Sequence, residues 1–496
     1  MSAIQRADIP ATNGAGALAD TVIANGYCVG CGACAALEES PFTMAFNDQG
    51  QYQPAAKSQA DATGPDRVFA TTTASVQEVC PFSPTSASED DIGRNLFGDS
   101  CDHNSSVGYY RSSYAGHVTE SDFRERGSSG GFSNWVLHEL LGQNKVDYII
   151  NVQPRDSQAQ DDEKKDGSPL FAYTIVSSLA ELKQGSKSRY YPIELSDVIR
   201  KVRSQPGRYA IVGLPCFIRS VRLLQRQEPI LAERIEYCIG LVCGHLKSRR
   251  YAESLAWQMG IPPAELRTVD FRIKNPDAPA SRYSTLAASE AEQKVVPTKN
   301  LFGTDWGAGS FKYKACDFCD DVFAETADVV LGDAWLPQYV QDSAGTNIVV
   351  VRSERIHELI ANARAEQRLE LEELPIEQAV ISQDAGLRHR RGALGYRLAV
   401  EQRKGDWVPV KRLPPDPGYG PRVERRKQDL RTRMRELSHS SFRQALDSGD
   451  LQIYLNTMAP LYRQYQRVGQ GGPLQRIRRM IGRLVRSLKK RIPGFA

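Results

Sequence analysis

Three of the chain's ten cysteines form the run Cys28-Val-Gly-Cys31-Gly-Ala-Cys34. A C-x2-C-x2-C spacing lets one tight loop aim three thiolates at a single iron–sulfur cubane. Gly30 and Gly32 allow the backbone to wrap closely around it. A fourth thiolate then comes from elsewhere, and Cys80, followed by Pro81, fits: the proline removes a backbone donor and turns the chain away. The spacing therefore reads as a [4Fe-4S] site held by Cys28, Cys31, Cys34 and Cys80. Four thiolates also suit tetrahedral zinc, but structural zinc sites usually use two separated C-x2-C pairs.

Four further cysteines stand in Gly213-Leu-Pro-Cys216, Leu241-Val-Cys243-Gly-His245 and Cys316-Asp-Phe-Cys319. The first two follow strand-like runs, where open α/β sheets place their sites. Together the four can complete a second thiolate site, or each can be a small core residue. Cys101 and Cys238 have no partner at ligand spacing, and Cys238 reads as core. His245, beside Cys243, suits a proton donor, a group tuning the metal site or a structural imidazole. Gly127-Ser128-Ser129-Gly130-Gly131 opens a helical pattern; its amides and hydroxyls would favour a phosphate, although such clusters also serve as turns. Asp333, in Leu-Gly-Asp-Ala-Trp, either orients a strand-end loop or moves a proton, while Asp320 and Asp321 read as turn caps. No G-x-G-x-x-G follows a strand, so a dinucleotide-binding Rossmann unit is not indicated.

These residues need a scaffold, and the sequence supplies one between residues 145 and 351. VDYIINV, RYAIVGL, IEYCIGLVC, VVLGDAW and TNIVVVRS are short β-branched or aromatic runs bounded by Gly, Pro or Asn, the pattern of buried strands. Helical stripes alternate with them: Phe132, Val136 and Leu140, then Phe217, Val221 and Leu224. Strands alternating with helices imply an α/β core, mixed with α+β parts. Residues 1–25 read as a loose leader, and residues 155–168 as a solvated loop. Beyond residue 403 strand signals stop. The expected division is 1–100 as an iron–sulfur segment, 101–400 as the catalytic core and 401–496 as a basic helical extension.

With 41% hydrophobic and 25% charged residues over 496 positions, the chain is neither mainly disordered nor a small disulfide scaffold. No apolar run approaches the ~20 residues of a membrane span. The first residues lack a charged and apolar secretory pattern, so a cytoplasmic, reducing setting is expected, where cysteines favour metal or redox chemistry. The net charge of +4 hides an asymmetry: residues 422–496 carry 18 Lys/Arg against 5 Asp/Glu, leaving a body of −9. Within 473–496, Leu474, Ile477, Ile481, Leu484 and Leu488 form one apolar stripe among eight basic residues. Such a helix would dock on a membrane surface or a protein partner, or pack on the acidic body. No aromatic-interleaved basic motif points to nucleic acid.

The ordered motifs CVGCGAC (28–34), GSSGGF (127–132), GSKSRYY (185–191), GLPCFI (213–218), GLVCGH (240–245), FRIKN (271–275), YKACDFCDDVFAETADVVLGDAW (313–335) and GTNIVVVRSE (345–354) resemble the coenzyme F420 hydrogenase/dehydrogenase beta-subunit family. That family includes 7-hydroxymethyl chlorophyll a reductase and a divinyl chlorophyllide reductase. The resemblance implies a ferredoxin-like [4Fe-4S] segment on a mixed-sheet, FAD-binding core. It implies a second cluster on Cys216, Cys243, Cys316 and Cys319, with residues 127–131, Ser186 and Lys187 as flavin contacts. It also implies an oxidoreductase linking a ferredoxin-type donor, clusters, FAD and an organic substrate, coenzyme F420 being one candidate. The alternatives are an electron-transfer subunit without its own substrate site and a zinc-stabilised binding module; a homo-oligomer is also compatible. Ser188-Arg189-Tyr190-Tyr191 and Ile273 depart from the family's pattern, on the substrate side.

Overall fold

The computed structural model describes residues 14–57, 75–155 and 168–469. At its centre is an eight-stranded mixed sheet: β1 (Ser112–Val118), β2 (Tyr148–Pro154), β3 (Phe171–Val176), β4 (Tyr209–Gly213), β5 (Ile235–Leu241), β6 (Val329–Asp333), β7 (Asn347–Val351) and β8 (Leu369–Glu373). The spatial order is β8-β1-β7-β6-β5-β4-β2-β3. β6, β5, β4 and β2 run parallel, and every other pairing is antiparallel. All five strand-like runs of the sequence are strands here.

Strand periodicity divides the core into two faces. In β7, Ile348 and Val350 join one hydrophobic cluster while Val349 and Val351 join the other. Helices α1 (Phe132–Gly142) and α5 (Glu354–Ala365) cover the second face. The first face receives α2 (Ser196–Ser204), α3 (Pro215–Gln227) and the N-terminal segment, whose Ala15, Leu18, Val22 and Phe82 share its cluster with Ile211 and Val350. Residues on both sides of position 100 thus pack into one core.

Residues 14–25 are not the loose leader expected. Ala15–Leu18 is α-helical and Ala19–Ile23 forms a π turn, with Ala17, Leu18, Thr21 and Val22 buried. The apolar spacing was hidden by alanines, which bury well at close contacts but look neutral in a composition scan. A third cluster joins α4 (Arg249–Gln258), a three-stranded antiparallel sheet over 268–297, and the hairpin of α7 (Arg422–Ser448) and α8 (Leu451–Gly469). Helix α6 (Leu394–Arg403) links that hairpin to the core. The amphipathic stripe at 473–496 lies outside the described residues. Among those described, no helix is long and apolar enough to cross a membrane.

Candidate functional site

The first cysteine quartet lines a small cavity of about 20 Å³, walled by Leu18, Val22, Met44 and Phe82. Gly30 and Gly32 are left-handed, at φ +70° and +82°. A Cβ on Gly32 would stand 2.4 Å from Glu194 Oε2, and one on Gly30 would stand 2.6 Å from the Tyr52 carbonyl. Both the turn and its close packing therefore require glycine. Gly30 N–H donates to Cys28 Sγ (3.3 Å), and Ser220 Oγ donates to Cys31 Sγ (3.2 Å).

Burial raises the Cys28 and Cys34 thiols, and the neighbouring thiols raise them further; Cys80 is pushed up to about 12 by the same two causes. Four thiolates cannot coexist in such a pocket without a compensating positive core, and a four-iron cluster supplies one. The donor set and the apolar walls fit that group. Among the described residues no three His, Cys, Asp or Glu side chains converge on a single ion. A cubane anchors each thiolate at a separate iron, so this has no bearing on it.

The fold assembles the second quartet from three places. Cys216 is the second residue of α3, after Pro215, and Cys243 follows the adjacent parallel strand β5. Cys316 and Cys319 lie on a short 3-10 turn and just after it. Burial raises Cys216 well above a normal thiol, followed by Cys319, Cys243 and Cys316, and then Cys31 of the first quartet. The two quartets are therefore electrostatic neighbours, and α3 touches both: Cys216 opens it, and Ser220 bonds Cys31 one turn later.

Arginines surround the second quartet. Arg390, on the π turn Arg388–Gly392, is 2% exposed and donates to Cys319 Sγ (3.0 Å), Gly244 O (2.7 Å) and Asp321 O (2.9 Å). Leu246 N–H donates to Cys316 Sγ (3.2 Å). Asp317, between two of the cysteines, pairs with Lys312, with Arg435 Nη1 (2.5 Å) and with His389 (3.2 Å), while its carbonyl accepts from Arg397 Nε (2.7 Å). The turn bearing Cys316 is thereby fastened to α6 and α7. Asp317→Asn is expected to loosen it and speed iron loss from this quartet alone, read as iron released to a chelator over time.

A separate cleft lies at the Gly/Ser loop. It is lined by Ser128, Gly345, Arg272, Lys274, Arg282 and Tyr283 among others. Gly131 caps α1 at φ +87°, where a Cβ would stand 2.7 Å from the Phe123 carbonyl, and Gly130 packs against Asn347. Ser129 Oγ donates to Thr346 O, Ser128 Oγ accepts from Ser188 N, and Ser186 O accepts from Asn134. Lys274 Nζ donates to the carbonyls of Ser129 (2.8 Å) and Arg124. Lys187 lies 3.9 Å from Asp270. Burial, then Lys187, Arg124 and Arg272, push Lys274 down to about 8. Cations outnumber carboxylates here.

Asp333 ends β6 and takes both guanidinium nitrogens of Arg272 (2.7 and 3.1 Å), orienting the cleft. His245 is buried, stacked on Trp306 at 4.3 Å; burial and then Lys247 and Lys312 hold it neutral, and its Nε2 has no hydrogen-bond partner among the described residues. Asp321 caps Glu325 N (3.0 Å) as expected, whereas Asp320 instead pairs with Lys411 and Arg412, because burial demands a counter-charge. Cys238 is fully buried core, and Cys101 lies apart against Arg352 O. Arg390, Lys274 and Arg272 were not singled out in the sequence. Arg390 sits in an Arg-His-Arg-Arg run that looks like solvated charge.

The coenzyme F420 hydrogenase/dehydrogenase beta subunit N-terminal family model matches residues 113–200, and the model of its C terminus matches 207–377. The chain belongs to this family. It is 25% identical over 265 residues to the coenzyme F420-dependent sulfite reductase of Methanocaldococcus jannaschii, covering 50% of this chain and 36% of that protein. The chain thus spans about a third of that relative's length. It is also similar to a chain of the F420-reducing [NiFe] hydrogenase complex from Methanosarcina barkeri, at 15% identity and TM-score 0.44, covering 60% of this chain and 96% of that one.

Proposed function

We propose that this chain is an oxidoreductase that carries electrons through two [4Fe-4S] clusters and FAD, between a ferredoxin-type donor and an organic substrate for which coenzyme F420 is a candidate. The observation that carries the reading is the pair of largely buried cysteine quartets joined by α3. Family membership, and the redox activities in the relatives' names, support it. The clusters would pass single electrons, which a flavin collects in pairs.

The chain's own residues would bind and orient. Residues 127–131 present amides and hydroxyls at the start of α1, and Lys187, Lys274, Arg272 and Arg282 supply positive charge for the anionic part of FAD or of the substrate. Asp333 fixes Arg272 in this cleft. His245 would hold a proton position beside the second quartet, packed on Trp306. An electron-transfer subunit of a larger complex, without its own substrate site, is the second reading.

The test is composition. Protein purified without oxygen is expected to hold about eight iron, about eight sulfide and one FAD per chain. No iron and no flavin after reconstitution would end the oxidoreductase reading, and one zinc per quartet would replace it with a structural role. Anion retention in the cleft should also depend on pH. Lys274 is charged below about 8 and neutral above it, so its attraction for an anion is present at pH 7 and lost as pH rises. Flavin retention measured by dialysis should fall between pH 7 and 9, and Lys274→Arg should flatten that fall.

A further inference from the structure

We propose that Arg390 is a tuning residue: its guanidinium raises the reduction potential of the cluster held by Cys216, Cys243, Cys316 and Cys319 above that of the cluster held by Cys28, Cys31, Cys34 and Cys80. The proposal rests on reading both quartets as cluster ligands.

The two quartets differ in the charge around their sulfurs. Among the described residues, the hydrogen-bond donors to the first quartet's sulfurs are neutral: Gly30 N–H, Ser220 Oγ and the backbone amides of Ala33, Ala35, Phe82 and Ser83. The carboxylate of Glu194 is among the charges that act on Cys31. The cation that acts on Cys80, Arg219, is paired with Glu89 at 2.9 Å and also donates to the carbonyls of Pro81 and Ala87 and to Ser86 Oγ, with no bond to a sulfur. The second quartet instead receives a charged donor. Arg390 is 2% exposed, and among the described residues it pairs with no carboxylate. Its charge is balanced by Cys319 first, then by Cys243, Cys316 and Cys216.

Bonds to Gly244 O and Asp321 O fix the guanidinium plane, so the N–H aimed at Cys319 cannot swing away. Reduction adds one negative charge to a cluster. A fixed cation in a low-dielectric pocket stabilises that added charge, and hydrogen bonds to the sulfurs act in the same direction.

A downhill order follows inside the chain. An electron delivered by a one-electron donor of ferredoxin type to a cluster held by the first quartet would move downhill to one held by the second, with no bond or proton exchanged. Ser220 and Cys216, one turn apart on α3, mark the short path. Arg390 lies beyond both family-matched stretches, 113–200 and 207–377, so the tuning belongs to this chain's C-terminal part.

The experiment is a redox titration of the full-length, reconstituted protein, followed by electron paramagnetic resonance with iron counted in every sample. Cys316→Ser, which keeps only the first cluster, assigns the two signals. In the wild type the second cluster is expected at the higher potential. Arg390→Gln should move it to lower potential, leaving the first unmoved and iron near eight, while Arg390→Lys should keep most of the wild-type value. An unmoved potential in Arg390→Gln at full iron would overturn the proposal. Should Arg390→Gln lose the second cluster, the wild-type order decides: a second cluster at or below the first overturns it. A wild type holding iron for one quartet only would fail the two-cluster reading itself, a result visible before any potential is measured.

Discussion

Cys316→Ser is expected to take the iron content from about eight to about four per chain, and Cys34→Ser to do the same through the other quartet. The double variant should hold none. A serine hydroxyl in these pockets cannot replace a thiolate, because its proton is held far more tightly and burial penalises the anion further. The neighbours of Cys316 are committed as well. Leu246 N–H points at its sulfur, and the turn that carries it is pinned through Asp317 to Arg435. If the later four cysteines were only small core residues, Cys316→Ser would cost about 1–3 kcal/mol of stability and leave iron untouched. Iron and sulfide assays together with the visible spectrum separate the two cases. Unchanged iron in Cys316→Ser would remove the second site.

The grouping of the first cysteines was legible because their spacing is local. Cys28, Cys31 and Cys34 are three apart on one loop, and the glycines between them are needed where they stand. The strands were legible for the same kind of reason: β7 alternates between two buried faces, so all five residues are buried and four of them, Ile348 to Val351, are apolar. The second quartet was half legible. Cys216 and Cys243 could be placed at strand ends, but only the parallel pairing of β4 and β5 brings them side by side with Cys316 and Cys319.

What the sequence hid was charge placed by tertiary structure. A buried arginine and a solvated one have the same letter. Arg390, Arg397 and Arg435 are nearly inaccessible, yet they lie in Arg-rich stretches that composition assigns to the surface. Their burial depends on acceptors far away in the chain, such as Gly244 O for Arg390 and Asp317 for Arg435. The helix at Ala15–Ile23 was missed for a different reason. Alanine packs there by being small rather than greasy, and hydropathy does not register that.

Arg352→Met is expected to be the most destabilising single change away from the cysteines, at about 3–5 kcal/mol. Arg352 follows β7, is 1% exposed and donates to five backbone carbonyls: Tyr109, Val107, Phe323, Ala324 and Ala327. Three of these belong to the turn 323–327, where Ala324 is held at φ +43°, a conformation an L-residue adopts only under constraint. Methionine fills the space of the aliphatic stem but removes the guanidinium donors from buried carbonyls, leaving Ala324 O with Ala327 N–H, and it releases the strained turn. Arg352→Lys should fall between, because one ammonium cannot reach all five acceptors. Urea denaturation of wild type and both variants measures the order, with the slope checking that the same surface unfolds. The turn also sits beside Asp321, whose carbonyl anchors Arg390. Loosening it should therefore weaken iron retention at the second quartet while sparing the first. A cost below about 1 kcal/mol would show that water reaches these carbonyls and that Arg352 is not what holds the turn.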